Sequence, residues 1–68
     1  MEFKDLLKKY INEKDANISF IANASGITRQ AIHKILKGKV KPKVETIRDL
    51  CRVLCIFYGG DLNYKDYI

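Results

Sequence analysis

The sequence predicts an all-α domain built from four or five short helices. Apolar residues recur every three or four positions in four separate segments, which is the spacing of one helix face. Turn and capping residues separate these segments, and the single proline lies in the longest connection. The chain has 68 residues, 47% of them hydrophobic and 31% charged, so it is globular in composition and has room for one domain, residues 1–68.

The first two helices are predicted over residues 2–13 and 18–24 from their apolar spacing. The inward-facing residues of the first helix are Phe3, Leu6, Leu7, Tyr10 and Ile11. Asn17 is a favourable N-cap for the second helix, because its side-chain oxygen can accept a hydrogen bond from a free backbone N–H. The inward-facing residues of the second helix are Ile18, Ile21 and Ala22.

A tight turn over residues 25–27 is predicted to separate the second helix from a third, over residues 29–37. Gly26 supplies the positive φ angle that such a turn needs, and Thr28 is the next N-cap. Gly38 ends the third helix. The apolar face of this helix consists of Ala31, Ile32, Ile35 and Leu36.

A fourth helix is predicted over residues 44–54, after a basic loop that contains Pro42. Its apolar residues at helical spacing are Val44, Ile47, Leu50, Cys51 and Leu54. The pattern changes after Ile56, and residues 57–68 form an aromatic tail. Asp61 can cap a short fifth helix in this tail, or the glycine pair before it can turn a small hairpin; the helix is favoured.

Positive charge is concentrated in one part of the chain, whose net charge is +5. Six basic residues and no acidic ones lie between Arg29 and Lys43, whereas the remainder holds 7 basic and 8 acidic residues. A nucleic-acid-binding surface and an ordinary solvated surface both fit this pattern. An anionic membrane surface is a third alternative, but no row of Trp, Phe or Leu accompanies the lysines.

Other classes of protein fit the sequence poorly. No apolar run approaches the ~20 residues of a membrane span, and the first five residues lack the pattern of a signal peptide. Two cysteines are too few for a disulfide scaffold, which favours a reducing compartment. The chain has no glycine-rich phosphate loop, paired acidic clusters or nucleophile with a base, so neither an enzyme nor a cofactor is predicted.

The histidine and the cysteines are not expected to bind a metal. His33 has no Cys, Asp or Glu at ligand spacing, so it is placed on the exposed flank of the third helix. Cys51 and Cys55 lie four residues apart on one helix face and are interpreted as small buried apolar side chains. The alternative, a redox or metal pair, lacks further ligands.

Residues 18–37 have the arrangement of a helix-turn-helix, two short helices joined by a glycine-containing turn. Ala22 is small where the helices would cross, and Gly26 follows four residues later. Ile27, Ile32 and Ile35 are apolar where the second of these helices must be buried. The residues left to point outward are Arg29, Gln30, His33, Lys34 and Lys37.

Over about residues 17–56 the sequence resembles the Cro/repressor-like, XRE-type helix-turn-helix family. The matching segments are 17–22 (NISFIA), 25–32 (SGITRQAI) and 35–38 (ILKG), followed by Pro42, Ile47, Leu50, Cys51 and Leu54. The resemblance implies a compact lambda-repressor-like domain in a cytoplasmic, sequence-specific regulator, nucleoid-associated when bound to DNA. Such regulators are usually dimers on a palindromic operator. The chain departs from the family pattern at Ile18, Leu36, Cys51 and Cys55.

The resemblance also assigns roles to residues of the third helix. Its N-terminal part would enter the major groove, where Arg suits the two acceptors of guanine and Gln the donor and acceptor of adenine. The expected base contacts are Arg29, Gln30, Ala31 and Lys34. The expected phosphate contacts, some of them through backbone amides, are Asn17, Asn23, Thr28, His33, Lys37, Lys39, Lys41 and Lys43.

The predicted function is a transcriptional regulator, a repressor that binds double-stranded DNA as a homodimer. The expected dimer interface is the aromatic tail, with Phe57, Tyr58, Leu62, Tyr64, Tyr67 and Ile68. Alternatively, these residues cap the core of their own chain. A protein-interaction module with the same fold, such as an antitoxin or anti-repressor, is the alternative function. No membrane or small-molecule partner is evident.

Overall fold

A computed structural model describes residues 2–68 of the chain. Met1, which belongs to the predicted domain, lies outside the described residues. The elements are α1 (Phe3–Glu13), α2 (Ile18–Ser25), α3 (Arg29–Leu36), α4 (Val44–Tyr58) and a 3₁₀ helix (Tyr64–Tyr67). Residues 2–68 contain no β-strand. The predicted all-α fold with a helical tail is therefore confirmed.

Local hydrogen bonds form the α2–turn–α3 unit. The side chain of Asn17 accepts a hydrogen bond from the N–H of Phe20 at 3.1 Å, and the Thr28 hydroxyl accepts one from Ala31 at 3.1 Å. Gly26 has φ 75° and donates its N–H to the carbonyl of Ala22 at 2.9 Å. A side chain at that φ would be strained, so glycine is the residue best suited to this turn.

All four α-helices contribute to one apolar core. α1 and α2 each pack against both α3 and α4. The largest side chains that are fully buried are Leu7, Ile21, Ile32, Leu50 and Leu54. Burying each of them contributes roughly 1.5–3 kcal/mol. Within residues 2–68 no polar or charged residue is buried, so the core depends mainly on apolar contacts.

The structure corrects two predictions for the fourth helix. It does not end at residue 54 but continues to Tyr58, because no helix-breaking residue occurs before Gly59 and the added turn packs against α2. Phe57 and Tyr58 are therefore part of α4 rather than of the tail. Val44, expected on the buried face, is 46% exposed, since the buried stripe of α4 begins one turn later at Ile47.

Residues 59–68 fold back over α1 and α4. The Tyr10 hydroxyl donates a hydrogen bond to the carbonyl of Gly59 at 2.9 Å, and the rings of Phe3 and Tyr67 meet edge to face with centroids 5.9 Å apart. The 3₁₀ helix is capped by Asn63, whose side chain accepts a hydrogen bond from the N–H of Lys65. The predicted cap at Asp61 is wrong, because the helix begins three residues later.

Candidate nucleic-acid interface

The outer face of α3 is polar and open to solvent. Ile32 and Ile35 are buried against the core, and this fixes the rotation of the helix. Arg29, Gln30 and Lys34 are consequently exposed on the other side, as the helical period requires. Ala31, also expected to contact a base, is half-buried.

A shallow depression lies where α2 meets α3. It is lined by Ala22, Asn23, Gly26, Ile27, Thr28, Arg29, Gln30 and His33. Five of these residues were predicted to contact DNA, and the turn brings them together from both helices. Its apolar members pack inward at the helix crossing, so the polar side chains form the outer rim.

The phosphate-contact residues predicted in the basic loop are exposed but lie elsewhere. Lys37 is the C-cap of α3, and Lys39, Lys41 and Lys43 lie on the connection to α4. None of the four lines the depression. The last three instead line a second groove together with Lys4 of α1. The structure therefore places most of the predicted phosphate contacts in two groups, one near each end of α3, whereas Asn17 lies apart at the start of α2.

Two predicted phosphate contacts have side-chain oxygens already in use. The side-chain oxygen of Asn17 caps α2, and the hydroxyl oxygen of Thr28 caps α3. The backbone N–H of Asn17 also donates to the Tyr58 hydroxyl at 3.0 Å. The first N–H groups of a helix lack intrahelical partners, so the amides of Ile18 and Ser19 are better placed to meet an anion.

The basic stretch retains its positive field. Two close ion pairs occur within residues 2–68, Lys4–Glu2 at 3.4 Å and Arg48–Asp49 at 3.5 Å. Neither involves a residue between Arg29 and Lys43. Because all six basic side chains of this stretch are exposed, their charges add to a field that attracts polyanions.

Neither cysteine lines the depression, and the prediction that both are buried is correct for Cys51 but wrong for Cys55, which is half-buried. Cys51 is buried, and burial, with a smaller contribution from Cys55, raises the pKa of its thiol from 9.0 to about 11. The thiol is therefore protonated at neutral pH and a poor nucleophile. Nowhere in residues 2–68 do three or more His, Cys, Asp or Glu side chains cluster as metal ligands would.

Sequence reasoning identified only Phe57 and Ile68 among a set of exposed apolar side chains that form two patches. In one, here called the aromatic patch, the rings of Phe20 and Phe57 meet at 90° with centroids 4.8 Å apart, and the exposed Ile56, which precedes Phe57 in α4, is counted with them. The other consists of Val40, Val44 and Ile68. The exposure of Phe20 could have been predicted from the sequence, since its position in α2 is not on the helix face that carries Ile18, Ile21 and Ala22.

The predicted dimer-interface residues are divided by the structure. Four of them are half-buried against the core of their own chain: Tyr58, Leu62, Tyr64 and Tyr67. Phe57 and Ile68 are exposed, at 53% and 65%. Phe57 belongs to the aromatic patch, whereas Ile68 lines the second groove. One continuous surface through all six residues is thus not formed.

Two capped helices at a glycine turn, with a polar outer helix face, define this fold as a helix-turn-helix. A helix-turn-helix family model (HTH_3) matches residues 7–54, more than half of the chain. The chain therefore belongs to this XRE-type family, and it is a DNA-binding regulator of a kind that is not typically enzymatic. No curated protein and no solved structure matches it. In the described residues, no helix is long and apolar enough to cross a membrane.

Proposed function

We propose that the chain is a repressor that inserts α3 into the major groove of a palindromic operator. The observation that carries the proposal is the exposed face of α3, where Arg29 and Gln30 project at the N-terminal end of a helix whose opposite side is buried. That is the end from which recognition helices reach base edges. Repression requires only that the bound protein occupies a site that the polymerase needs.

Base reading is assigned to Arg29, Gln30 and Lys34, with Ala31 near a thymine methyl group. Phosphate contacts are assigned to exposed side chains and amides at the start of α2 and around α3: Asn17, Asn23, Thr28, His33, Lys37, Lys39, Lys41 and Lys43. The amides of Ile18 and Ser19 are added to this set. Contacts on both sides of the recognition helix would fix its register on the duplex.

Selection of bound duplexes from a random pool tests the proposal directly, since it gives the sequence, the symmetry and the half-site spacing. On the selected site, Arg29→Ala should cost about 1–3 kcal/mol and relax preference at one base pair. Lys39→Ala should weaken all duplexes alike and reduce the log–log salt slope by about one. Arg52→Ala is the matched control, because it removes the same exposed charge from α4.

Equal effects of Arg29→Ala and Arg52→Ala would contradict base reading by α3. Failure to bind any duplex at low salt would contradict the proposal as a whole and favour the protein-interaction module. A DNA-binding protein loses affinity with salt at a slope of about −0.9 per phosphate contacted, so two salt concentrations suffice to detect the electrostatic part.

The proposed dimer uses the aromatic patch. In a two-fold symmetric contact, a charged residue near the axis lies close to the same residue of the partner and is repelled by it. The three residues of this patch are uncharged, although the chain carries a net charge of +5. The molecule measures 26 × 24 × 21 Å. Two such bodies in contact can place their recognition helices about 34 Å apart, one turn of the duplex.

Sedimentation of Phe57→Glu tests the interface. We expect this variant to be monomeric and to bind the full palindrome more weakly while binding a half-site unchanged. Val40→Glu introduces the same charge in the other exposed patch and should stay dimeric. A Phe57→Glu dimer, or a wild-type monomer at all concentrations, would exclude this interface.

A further inference from the structure

The second groove has a mixed chemical character. Its rim carries Lys39, Lys41 and Lys43, and its exposed apolar walls are Val40, Val44 and Ile68. The cavity volume is about 620 Å³. That falls within the range of pockets for small molecules, roughly 300–1,000 Å³. Its walls come from both ends of the chain as well as from the α3–α4 connection, so the folded domain is needed to form it.

The floor of the groove is a part of the rigid core. Ile35 and Ile47, both buried, line it from α3 and α4, and Phe3 and Tyr67 close it through their edge-to-face contact. An apolar chain lying on this floor would cover Val40 and Val44, which are each 46% exposed. Removing such surface from water is favourable.

The charges around the groove are predominantly positive. Within residues 2–68, Lys39, Lys41 and Lys43 form no ion pair, and Lys4 is paired only with Glu2, itself on the rim. The Lys4 Nζ atom lies against Gly38, where an added Cβ would be 3.3 Å away. Three lysines around the groove thus have no carboxylate partner, so charge complementarity selects negative ligands.

We propose that this groove binds a small amphipathic anion, an acyl or aryl chain that ends in a carboxylate or a similar group. The apolar part would lie against Val40 and Val44, and the anionic head would contact the lysines. Such a site has no local signature in the sequence, because Val40, Val44, Ile68 and the lysines converge only in the fold.

The groove and the depression share no residue, but the groove uses lysines that the proposed function assigns to phosphates. A ligand that occupies those lysines would therefore lower the affinity for DNA, and DNA would lower the affinity for the ligand by the same factor. This coupling rests on the proposed function, whereas binding of the anion does not.

Decanoate, below its micelle-forming concentration, is the probe for the groove. Titrated into the ¹⁵N-labelled protein without DNA, it should shift the amides of residues 39–41, 43–44 and 67–68 and leave those near the aromatic patch unchanged. Decyltrimethylammonium, with the same chain and the opposite charge, should not bind. Equal binding of the two would mean that the surface is merely apolar and would overturn the proposal.

A pair of variants localises the binding. Val44→Asp puts a carboxylate on the groove wall and should lower the affinity for decanoate by about tenfold or more. Because position 44 is in the first turn of α4, an acid there suits the helix dipole and the fold should persist. Ile56→Asp makes the same change in the aromatic patch and should bind decanoate normally. Equal weakening by both variants would overturn the proposal.

Two further measurements separate the remaining outcomes. Binding to phosphatidylglycerol vesicles without binding to monomeric decanoate would indicate a membrane surface and overturn the small-ligand proposal. Decanoate should also weaken operator binding by wild type but not by Val44→Asp. If decanoate binds in the groove and no duplex is bound, the proposed function fails while the ligand site stands.

Discussion

The helix-turn-helix, residues 17–38, and the C-terminal segment, residues 55–68, are held in place by different kinds of contact. In the first, each capping side chain bonds a residue three positions away, and Gly26 bonds a residue four positions away. In the second, the hydrogen bonds to the rest of the chain are long-range: Tyr10 to Gly59 and Asn17 to Tyr58 span 49 and 41 residues.

This difference separates a part that is shaped locally from one that is shaped by the assembled fold. Caps and a glycine turn define the geometry of α2 and α3 whenever the helices form. The C-terminal segment has its conformation only when α1 and α2 are already in place to receive it. Perturbing the two parts should therefore have distinguishable consequences.

The largest effect is expected for Gly60→Ala. Gly60 has φ 119°, and an added Cβ would collide with the hydroxyl of Tyr10. Tyr10 is buried and hydrogen-bonded to Gly59, so it cannot move aside without losing that bond. We expect backbone strain and the lost bond together to destabilise the domain by about 2–4 kcal/mol in urea denaturation.

Two controls identify the cause. Gly59 also has a positive φ, 77°, but a Cβ added there would meet nothing within 4 Å. Gly59→Ala therefore measures the backbone strain alone. Tyr10→Phe removes the obstructing hydroxyl, and in that background Gly60→Ala should cost less than it does in the wild type, because only the strain remains. If the cost of Gly60→Ala is the same with and without the hydroxyl, the collision is not its source.

The next largest effect is expected from alkaline pH, which should destabilise the domain through the buried thiol of α4. The pKa of the Cys51 thiol is about 11 in the folded chain against 9.0 ordinarily, so the folded state holds the proton more tightly. Stability is then constant below pH 9 and falls between pH 9 and 11, by about 2 kcal/mol. Burial also raises the pKa values of Tyr10 and Tyr67. Stability therefore continues to fall above pH 10, where these two hydroxyls ionise in the unfolded chain.

Urea denaturation at pH 8 and pH 11 measures this loss. Cys51→Ala should reduce the difference between the two pH values, leaving the part due to the tyrosines. Cys55→Ala is the matched control, because Cys55 is only half-buried and contributes to the shift less than burial does. An unchanged pH dependence in Cys51→Ala would show that the thiol is not responsible.

A smaller and more local effect is expected at Thr28. Thr28→Ala removes the hydroxyl that caps α3 and should cost about 1 kcal/mol, whereas Thr28→Ser should keep most of the stability. Hydrogen exchange should be faster for the amide of Ala31 and unchanged for Gly59. Equal acceleration at both amides would mean that the helix-turn-helix is not a locally determined unit.

The same contrast explains which parts of the structure could be predicted. Asn17, Gly26 and Thr28 indicated α2, the turn and α3 correctly, because their chemistry acts within four residues. The end of α4 was predicted four residues too early, although no helix-breaking residue precedes Gly59; the packing of Tyr58 against α2 and its bond to Asn17, which hold the last turn, have no local signature. The exposed residues of α3 could be predicted, because the helical spacing of its apolar residues shows which face is buried.

The grouping of the remaining site residues was not accessible from the sequence. Loop lysines and α3 residues appeared as one basic stretch, and only the fold divides them between a depression and a groove. Likewise Phe20 and Phe57, 37 positions apart in the sequence, meet in one patch because α2 packs against α4. Long-range packing, which has no local signature, determined both outcomes.

The smallest predicted effect tests the hydrogen bond that joins the two regions. Tyr58→Phe removes the hydroxyl that accepts from the N–H of Asn17, an exposed site where water can replace it, so the loss should be about 0.5 kcal/mol. The amide of Asn17 should exchange faster, and that of Ala31 should not. Tyr64→Phe is the control: it removes a hydroxyl from another half-buried tyrosine and should leave Asn17 protected. If Tyr58→Phe also accelerates exchange throughout α3, the helix-turn-helix depends on the C-terminal segment, and the two regions form one cooperative unit.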